Sequence, residues 1–145
     1  MAWFRRVDVH GDFNARHIKV KEATADVTLT EFDSGKVILI SANGIDVTLP
    51  AVPTMGMNYK LIMRADYSTA VCTVTCNGSG EFFAGSVATG ADGTAAAIFD
   101  GSTHDVCTFG SASLAGDYIE VFTDGTLWFI TGTSAAAAGI AVGTS

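Results

Sequence analysis

Asp117-Tyr-Ile-Glu-Val-Phe-Thr123, Asp124-Gly125, Thr126-Leu-Trp-Phe-Ile-Thr131 is the stretch that decides the fold class. Two runs rich in aromatic and β-branched residues flank an Asp-Gly pair, which is the short-range signature of a β-hairpin. Asp-Gly predicts a two-residue type I′ turn, because both central positions of that turn require positive φ. In that register Phe122 faces Leu127, Val121 faces Trp128, Glu120 faces Phe129 and Ile119 faces Ile130. One face then carries Ile119, Val121, Trp128 and Ile130, and the other Phe122, Leu127 and Phe129. Both faces are apolar, whereas a sheet in a small antiparallel sandwich buries only one. The face of Phe122, Leu127 and Phe129 is therefore either covered by the N-terminal segment or set against another subunit. The subunit interface is the preferred reading.

Working outward, the same alternation recurs upstream. Ile45, Val47 and Leu49 alternate with Asp46 and Thr48, and Pro50 and Pro53 end that strand because neither can donate to a ladder. Tyr59, Leu61 and Met63 oppose Lys60 and Arg64. Val37-Ile38-Leu39-Ile40 reads as a fully buried strand, and Val27 to Phe32 as a half-buried one. Asp33-Ser34-Gly35 and Asn43-Gly44 supply turns. Further strands are expected over Val71–Cys76 and near Glu81–Ala84, Thr94–Phe99 and Asp105–Phe109, with Gly85–Gly93 as a surface loop. Composition agrees: 17 Thr stand against 6 Leu, 4 Glu and 4 Lys, so the residues that fill helices are scarce. The expected fold is all-β, an antiparallel sandwich, jelly roll or barrel-like domain with an extended N-terminal arm. Its parts are an arm over residues 1–26, a β domain over 27–131 and a small-residue tail over 132–145. The tail is either disordered or a closely packed strand.

The chain has 145 residues, enough for one domain, and its 48% hydrophobic content excludes disorder throughout. No apolar run approaches the roughly 20 residues of a membrane helix. Met1-Ala-Trp-Phe-Arg-Arg lacks the apolar core of a secretory leader, and three cysteines suit a reducing compartment better than a disulfide framework. The net charge of −7 is uneven: residues 1–22 carry +2 and the remainder −9. An acidic body disfavours nucleic acid, whose binding needs clustered Lys and Arg. Within the arm, Trp3, Phe4, Arg5 and Arg6 are residue types that dominate binding hot spots. They dock either on their own domain or, as preferred here, on a partner.

Chemistry-bearing constellations are weak. Cys72 and Cys76 would lie on one face of a strand but roughly 13 Å apart, too far for one zinc at about 2.3 Å from each sulfur. His104-x-x-Cys107 adds ligand types without fixing a site, and buried thiols are the simpler expectation. His104-Asp105 has no Gly-x-Ser-x-Gly elbow to complete a hydrolase triad. Glu81 and Glu120 have no sequence reason to meet across a cleft. Asp92-Gly93 and Asp100-Gly101 lack the alternating ligands of a calcium loop and read as turns. Gly78-Ser79-Gly80 has neither the Lys nor the helix of a phosphate loop. No catalytic, metal or cofactor site is expected.

One ordered set of motifs does carry a resemblance. Thr28-Leu29-Thr30, Asp33-Ser34-Gly35-Lys36, Val47-Thr48-Leu49-Pro50, Gly56-x-x-Tyr59, Gly116-Asp117-Tyr118 and Asp124-Gly125-Thr126-x-Trp128 follow one another over residues 27–131. That order resembles small β-rich head-decoration (cement) proteins of tailed bacteriophages, and also domains of phage fibres and spikes. The resemblance implies a homotrimer on the outer capsid surface, its N-terminal arm laid on the major capsid protein, reinforcing the expanded shell. It equally admits a receptor- or glycan-binding fibre domain.

Overall fold

Twelve short strands and one 3-10 turn make up the computed structural model, which describes residues 18–66, 69–90, 93 and 95–145. In chain order the strands are β1 (Val20–Ala23), β2 (Val27–Thr28), β3 (Val37–Ile40), β4 (Asp46–Thr48), β5 (Asn58–Met63) and β6 (Cys72–Thr75). They continue as β7 (Phe83–Thr89), β8 (Ala95–Asp100), β9 (Val106–Phe109), β10 (Tyr118–Thr123), β11 (Trp128–Ser134) and β12 (Ile140–Gly143). Seven form one sheet in the order β1-β3-β5-β10-β11-β7-β8, and five form the other in the order β12-β9-β6-β4-β2. The protein is all-β, and its two sheets are packed face to face.

The sheets are mixed, not purely antiparallel, and the reason lies in how the first half winds. From β1 to β6 the chain changes sheet at every strand. β1, β3 and β5 therefore run parallel in one layer, and β2, β4 and β6 parallel in the other. Parallel neighbours need a crossover. Here the crossover is a strand of the opposite sheet, so no helix is required. The second half closes the sandwich with antiparallel pairs β5–β10, β10–β11, β7–β8, β6–β9 and β9–β12, and adds one further parallel pair, β7–β11.

Side-chain alternation sorts the layers. Ile38 and Ile40, Tyr59, Leu61 and Met63, Ile119 and Val121, and Trp128 and Ile130 point inward from the large sheet. Val47, Cys72, Val74, Cys107, Phe109 and Ile140 meet them from the small one. Full burial of each large apolar side chain is worth about 1.5–3 kcal/mol before chain entropy is subtracted. Trp128 packs against Tyr59 with ring centroids 5.9 Å apart and planes tilted by 39°, and its indole N–H donates to Glu81 Oε2 at 3.3 Å.

Several local expectations are corrected. Val37 and Leu39 are half-buried, so β3 has one wet face. The run from Val27 yields only the two residues of β2, and Glu31–Asp33 form a 3-10 turn. Asp33 explains this: its carboxylate accepts from Thr30 N and Thr30 Oγ1 at 3.2 Å, which coils the chain locally instead of extending it. Gly85–Thr89 belongs to β7 and is not a surface loop. Its outward residues Ser86 and Ala88 are small, so alternation with Val87 and Thr89 gave little apolar signal.

The Asp124-Gly125 connection also differs. Only glycines have positive φ among the described residues, so Asp124 cannot take its place in a type I′ turn. Instead Asp124 Oδ1 accepts the N–H groups of Thr126 and Leu127 at 2.8 and 2.9 Å, opening a four-residue loop. Phe122 consequently pairs with Phe129 and Val121 with Ile130, a shift of two residues from the expected register. A shift of two preserves which face each side chain occupies. Both flanking segments also contribute strands: β1 from residues assigned to the arm, and β12 from the tail, which pairs with β9.

Candidate functional site: an aromatic groove on the outer sheet face

Outward-pointing residues of β3, β5, β10 and β11 line a groove of about 560 Å³ on the large sheet. Its floor is the Phe122–Phe129 pair, stacked with ring centroids 5.0 Å apart and planes 20° from parallel. The pairing follows from the register, which sets these two residues opposite each other on adjacent antiparallel strands. Phe122 remains 54% exposed. Val37 and Lys36 continue the lining toward the start of β3, where Ile18 is 73% exposed.

Charges frame the groove without filling it. Lys60 Nζ donates to Glu120 Oε1 at 2.7 Å and lies 4.2 Å from the centre of the Tyr118 ring. The Glu120 hydrogen bond raises the Lys60 pKa above its ordinary value. The pair therefore holds one positive and one negative charge beside the aromatic floor, with Asn58 at its end. A surface of this kind binds by stacking and apolar contact with polar groups at its edge.

Of the expected subunit-interface residues, Phe122 and Phe129 come together, whereas Leu127 does not join them. Leu127 sits in the loop before β11, half-buried, near the Gly101 turn. The candidates Trp3, Phe4, Arg5 and Arg6 lie outside the described residues.

The weaker constellations resolve into structural roles. Cys72, Cys76 and Cys107 are free and buried, and burial pushes the thiols of Cys76 and Cys107 well above their usual pKa. His104 does not engage Asp105: its Nδ1 accepts the N–H of Asp100 at 3.3 Å, while Asp105 accepts the N–H of Ser145 at 2.7 Å. Asp100 caps its own turn, accepting from Ser102 N at 2.9 Å and Thr103 N at 2.8 Å. Glu81 and Glu120 serve separate partners, Trp128 and Lys60. Among the described residues no three His, Cys, Asp or Glu side chains are placed to hold a metal ion, and no helix is long and apolar enough to cross a membrane.

The sequence pattern missed Asp33 and Asp117. Asp33, buried, receives Lys21 Nζ at 2.8 Å and Lys36 Nζ at 2.9 Å. Burial opposes its charge, but the two lysine hydrogen bonds outweigh that and hold its pKa well below the ordinary carboxylate value. Tyr59 nearby, buried and facing the Asp33 and Glu31 carboxylates, is pushed up to about 12 and donates its hydroxyl to Thr30 O at 2.8 Å. Asp117, also buried, accepts from Ser134 Oγ at 2.7 Å, Ala135 N at 2.9 Å and Leu114 N at 3.0 Å. The Asp-Lys spacing and the Gly116-Asp117 turn were visible, but not which distant strands they would tie. No protein-family model and no curated protein matches the chain.

Proposed function

We propose that this chain is a non-enzymatic structural protein that assembles as a homotrimer through the outer face of its large sheet and stabilises a bacteriophage capsid from outside. The observation that carries the assembly reading is the exposed Phe122–Phe129 stack in its groove, on an outer face that also presents Val37, Leu39, Ile62 and Tyr118 half-buried. Exposed aromatic area of this kind is costly unless another surface covers it. The capsid reading rests on the ordered turn motifs between Thr28 and Trp128. In it, Trp3, Phe4, Arg5 and Arg6 contact the major capsid protein, and three such arms per trimer raise the effective concentration at one junction.

Light scattering on the purified protein tests the assembly step. A molar mass near 45 kDa, three times 15.0 kDa, is expected, falling toward 15.0 kDa in a Phe122→Ser, Phe129→Ser double variant. An unchanged mass in that variant removes this face from the seam. Deleting residues 1–6 is expected to abolish attachment to undecorated capsids while leaving the body folded; undiminished attachment sinks the arm assignment.

A second reading has its own observation. Two stacked rings flanked by Lys60, Glu120 and Asn58, in a groove of about 560 Å³, also suit a glycan, as in a fibre domain. Quenching or shift of aromatic signals by simple sugars, without change in mass, would favour it.

A further inference from the structure

We infer that the trimer closes by a tip-into-groove contact between copies. The 3-10 turn of one copy, led by Phe32 and backed by Val52 and Met55, enters the aromatic groove of the next and lays its Phe32 ring on Phe122. The inference rests on the trimer reading and deepens it, naming the surface that the Phe122–Phe129 face receives.

Symmetry makes the first demand. A two-fold pair can set one patch against its own copy, but a ring of three needs two different patches that fit each other. The groove of about 560 Å³ is one of them, and it is concave. Its counterpart must project and be apolar. Among the described residues the most exposed large apolar side chains are Val52 at 81%, Phe32 at 80% and Met55 at 76%. They stand on two loops, 29–36 and 49–57, which are joined where they lead into strands: Gly35 N donates to Asn58 O at 2.8 Å and Asn58 N to Ser34 Oγ at 3.1 Å.

Both tips are fixed before any partner arrives. Asp33 accepts from Thr30 N, Lys21 and Lys36, and the Tyr59 hydroxyl donates to Thr30 O at 2.8 Å. These bonds coil the chain around Glu31–Asp33 and leave the Phe32 ring in solvent. Val52 is bracketed by Pro50 and Pro53, whose rings fix φ, and Gly56 N donates to Thr123 O at 2.8 Å. Apolar side chains on preordered backbone lose little freedom on binding, which is the economy a hot spot uses.

Placement and charge agree. β3, β5 and β11 run one way and β10 the other. The groove residues Lys36, Val37, Asn58, Phe122 and Phe129 therefore gather at the end of the sheet where β3 and β5 begin. Loops 29–36 and 49–57 project from that same end, so tip and groove meet at one corner of the subunit. Contacts on opposite sides propagate a filament, whereas contacts flanking one corner turn each subunit back toward the first and close a small ring. Glu31, exposed beside Phe32, brings a carboxylate to a groove edged by Lys60. The Lys60 ammonium has three donors, and one of them goes to Glu120.

Two variants, Phe32→Cys and Phe122→Cys, each with one added thiol, test the contact when co-expressed and mildly oxidised. The native thiols are buried and do not compete. A covalent pair near 30 kDa, twice 15.0 kDa, is expected from the mixture on a non-reducing gel, roughly tenfold above either variant alone. No such band from the mixture overturns the proposal. An equal band from Phe122→Cys alone sets groove against groove and overturns it too. Light scattering on Phe32→Ser is the second measurement, and that side chain is exposed enough to change without disturbing the core. Its molar mass is expected to fall from near 45 kDa, three times 15.0 kDa, toward 15.0 kDa. A variant that keeps the trimer mass overturns the tip contact and leaves the trimer reading standing. A parent protein already at 15.0 kDa overturns both.

Discussion

Lys21 Nζ and Asp33 Oδ2 lie 2.8 Å apart, joining the edge strand β1 to the 3-10 turn that precedes β3. Lys36 holds the other carboxylate oxygen, so Asp33 is ionised, buried and neutralised from two sides. A pair with both partners in place contributes modestly, but removing one partner strands the others.

Acid should therefore loosen the β1 edge. The folded pKa of Asp33 lies below its unfolded value, so its contribution is complete above about pH 4 and declines as pH falls further. Asp33→Asn is expected to cost about 1–3 kcal/mol at neutral pH. The cost should shrink as pH falls below 4. Asp100 and Asp124 are exposed carboxylates whose turn hydrogen bonds also lower their pKa, so the Asp33→Asn variant retains some acid sensitivity of its own. Denaturant titrations of both proteins between pH 2 and 7 check this; a cost independent of pH would refute it.

Gly85 should tolerate no side chain. Its φ of +142° lies where L residues are strained, and a Cβ there would collide with the Ile130 carbonyl of the neighbouring strand. Gly85→Ala is expected to lose about 3 kcal/mol or more, since both backbone strain and a clash are incurred. Gly35 has φ +79° but open space, so Gly35→Ala should cost only about 1–2 kcal/mol. Thermal melts of the two variants compare them directly, and equal losses would contradict the role assigned to the Ile130 contact.

Asp117 should anchor the last third of the chain. It joins the turn before β10 to Ser134 and Ala135 at the end of β11, just ahead of β12. Asp117→Ala leaves the Leu114 and Ala135 N–H groups without this acceptor and is expected to cost about 2–4 kcal/mol. Hydrogen exchange should rise first at Ala135 and along β12. A uniform rise over the whole chain would show that the anchor is not local.

All three thiols should be inert until the protein unfolds. Cys72 and Cys107 are fully buried and Cys76 nearly so. Burial raises the pKa of Cys76 and Cys107, which further reduces the thiolate at neutral pH. A thiol reagent is expected to titrate three groups in denaturant and react at least roughly a hundredfold more slowly with the native protein. Rapid native labelling of any one would place that thiol at the surface.

What could be read from the chain was whatever depends on neighbours one or two positions away. Alternation in Ile45–Leu49, Tyr59–Met63, Ile119–Val121 and Trp128–Ile130 determined the strands and their buried faces, because a pleat has a period of two. Even the wrong partner for Phe122 left it on the correct face, since the register moved by two. What only the tertiary structure decided was everything set by distant backbone. The parallel winding of β1 to β6 is invisible to turn chemistry, which is the same whether a chain returns beside its last strand or crosses to the other sheet. Gly85–Thr89 became a strand through pairing with β11, which offsets the weak intrinsic preference of a small-residue run. The aromatic groove needed both: the sequence supplied Phe122 and Phe129 on one face, and long-range pairing with β5 and β3 built the walls around them.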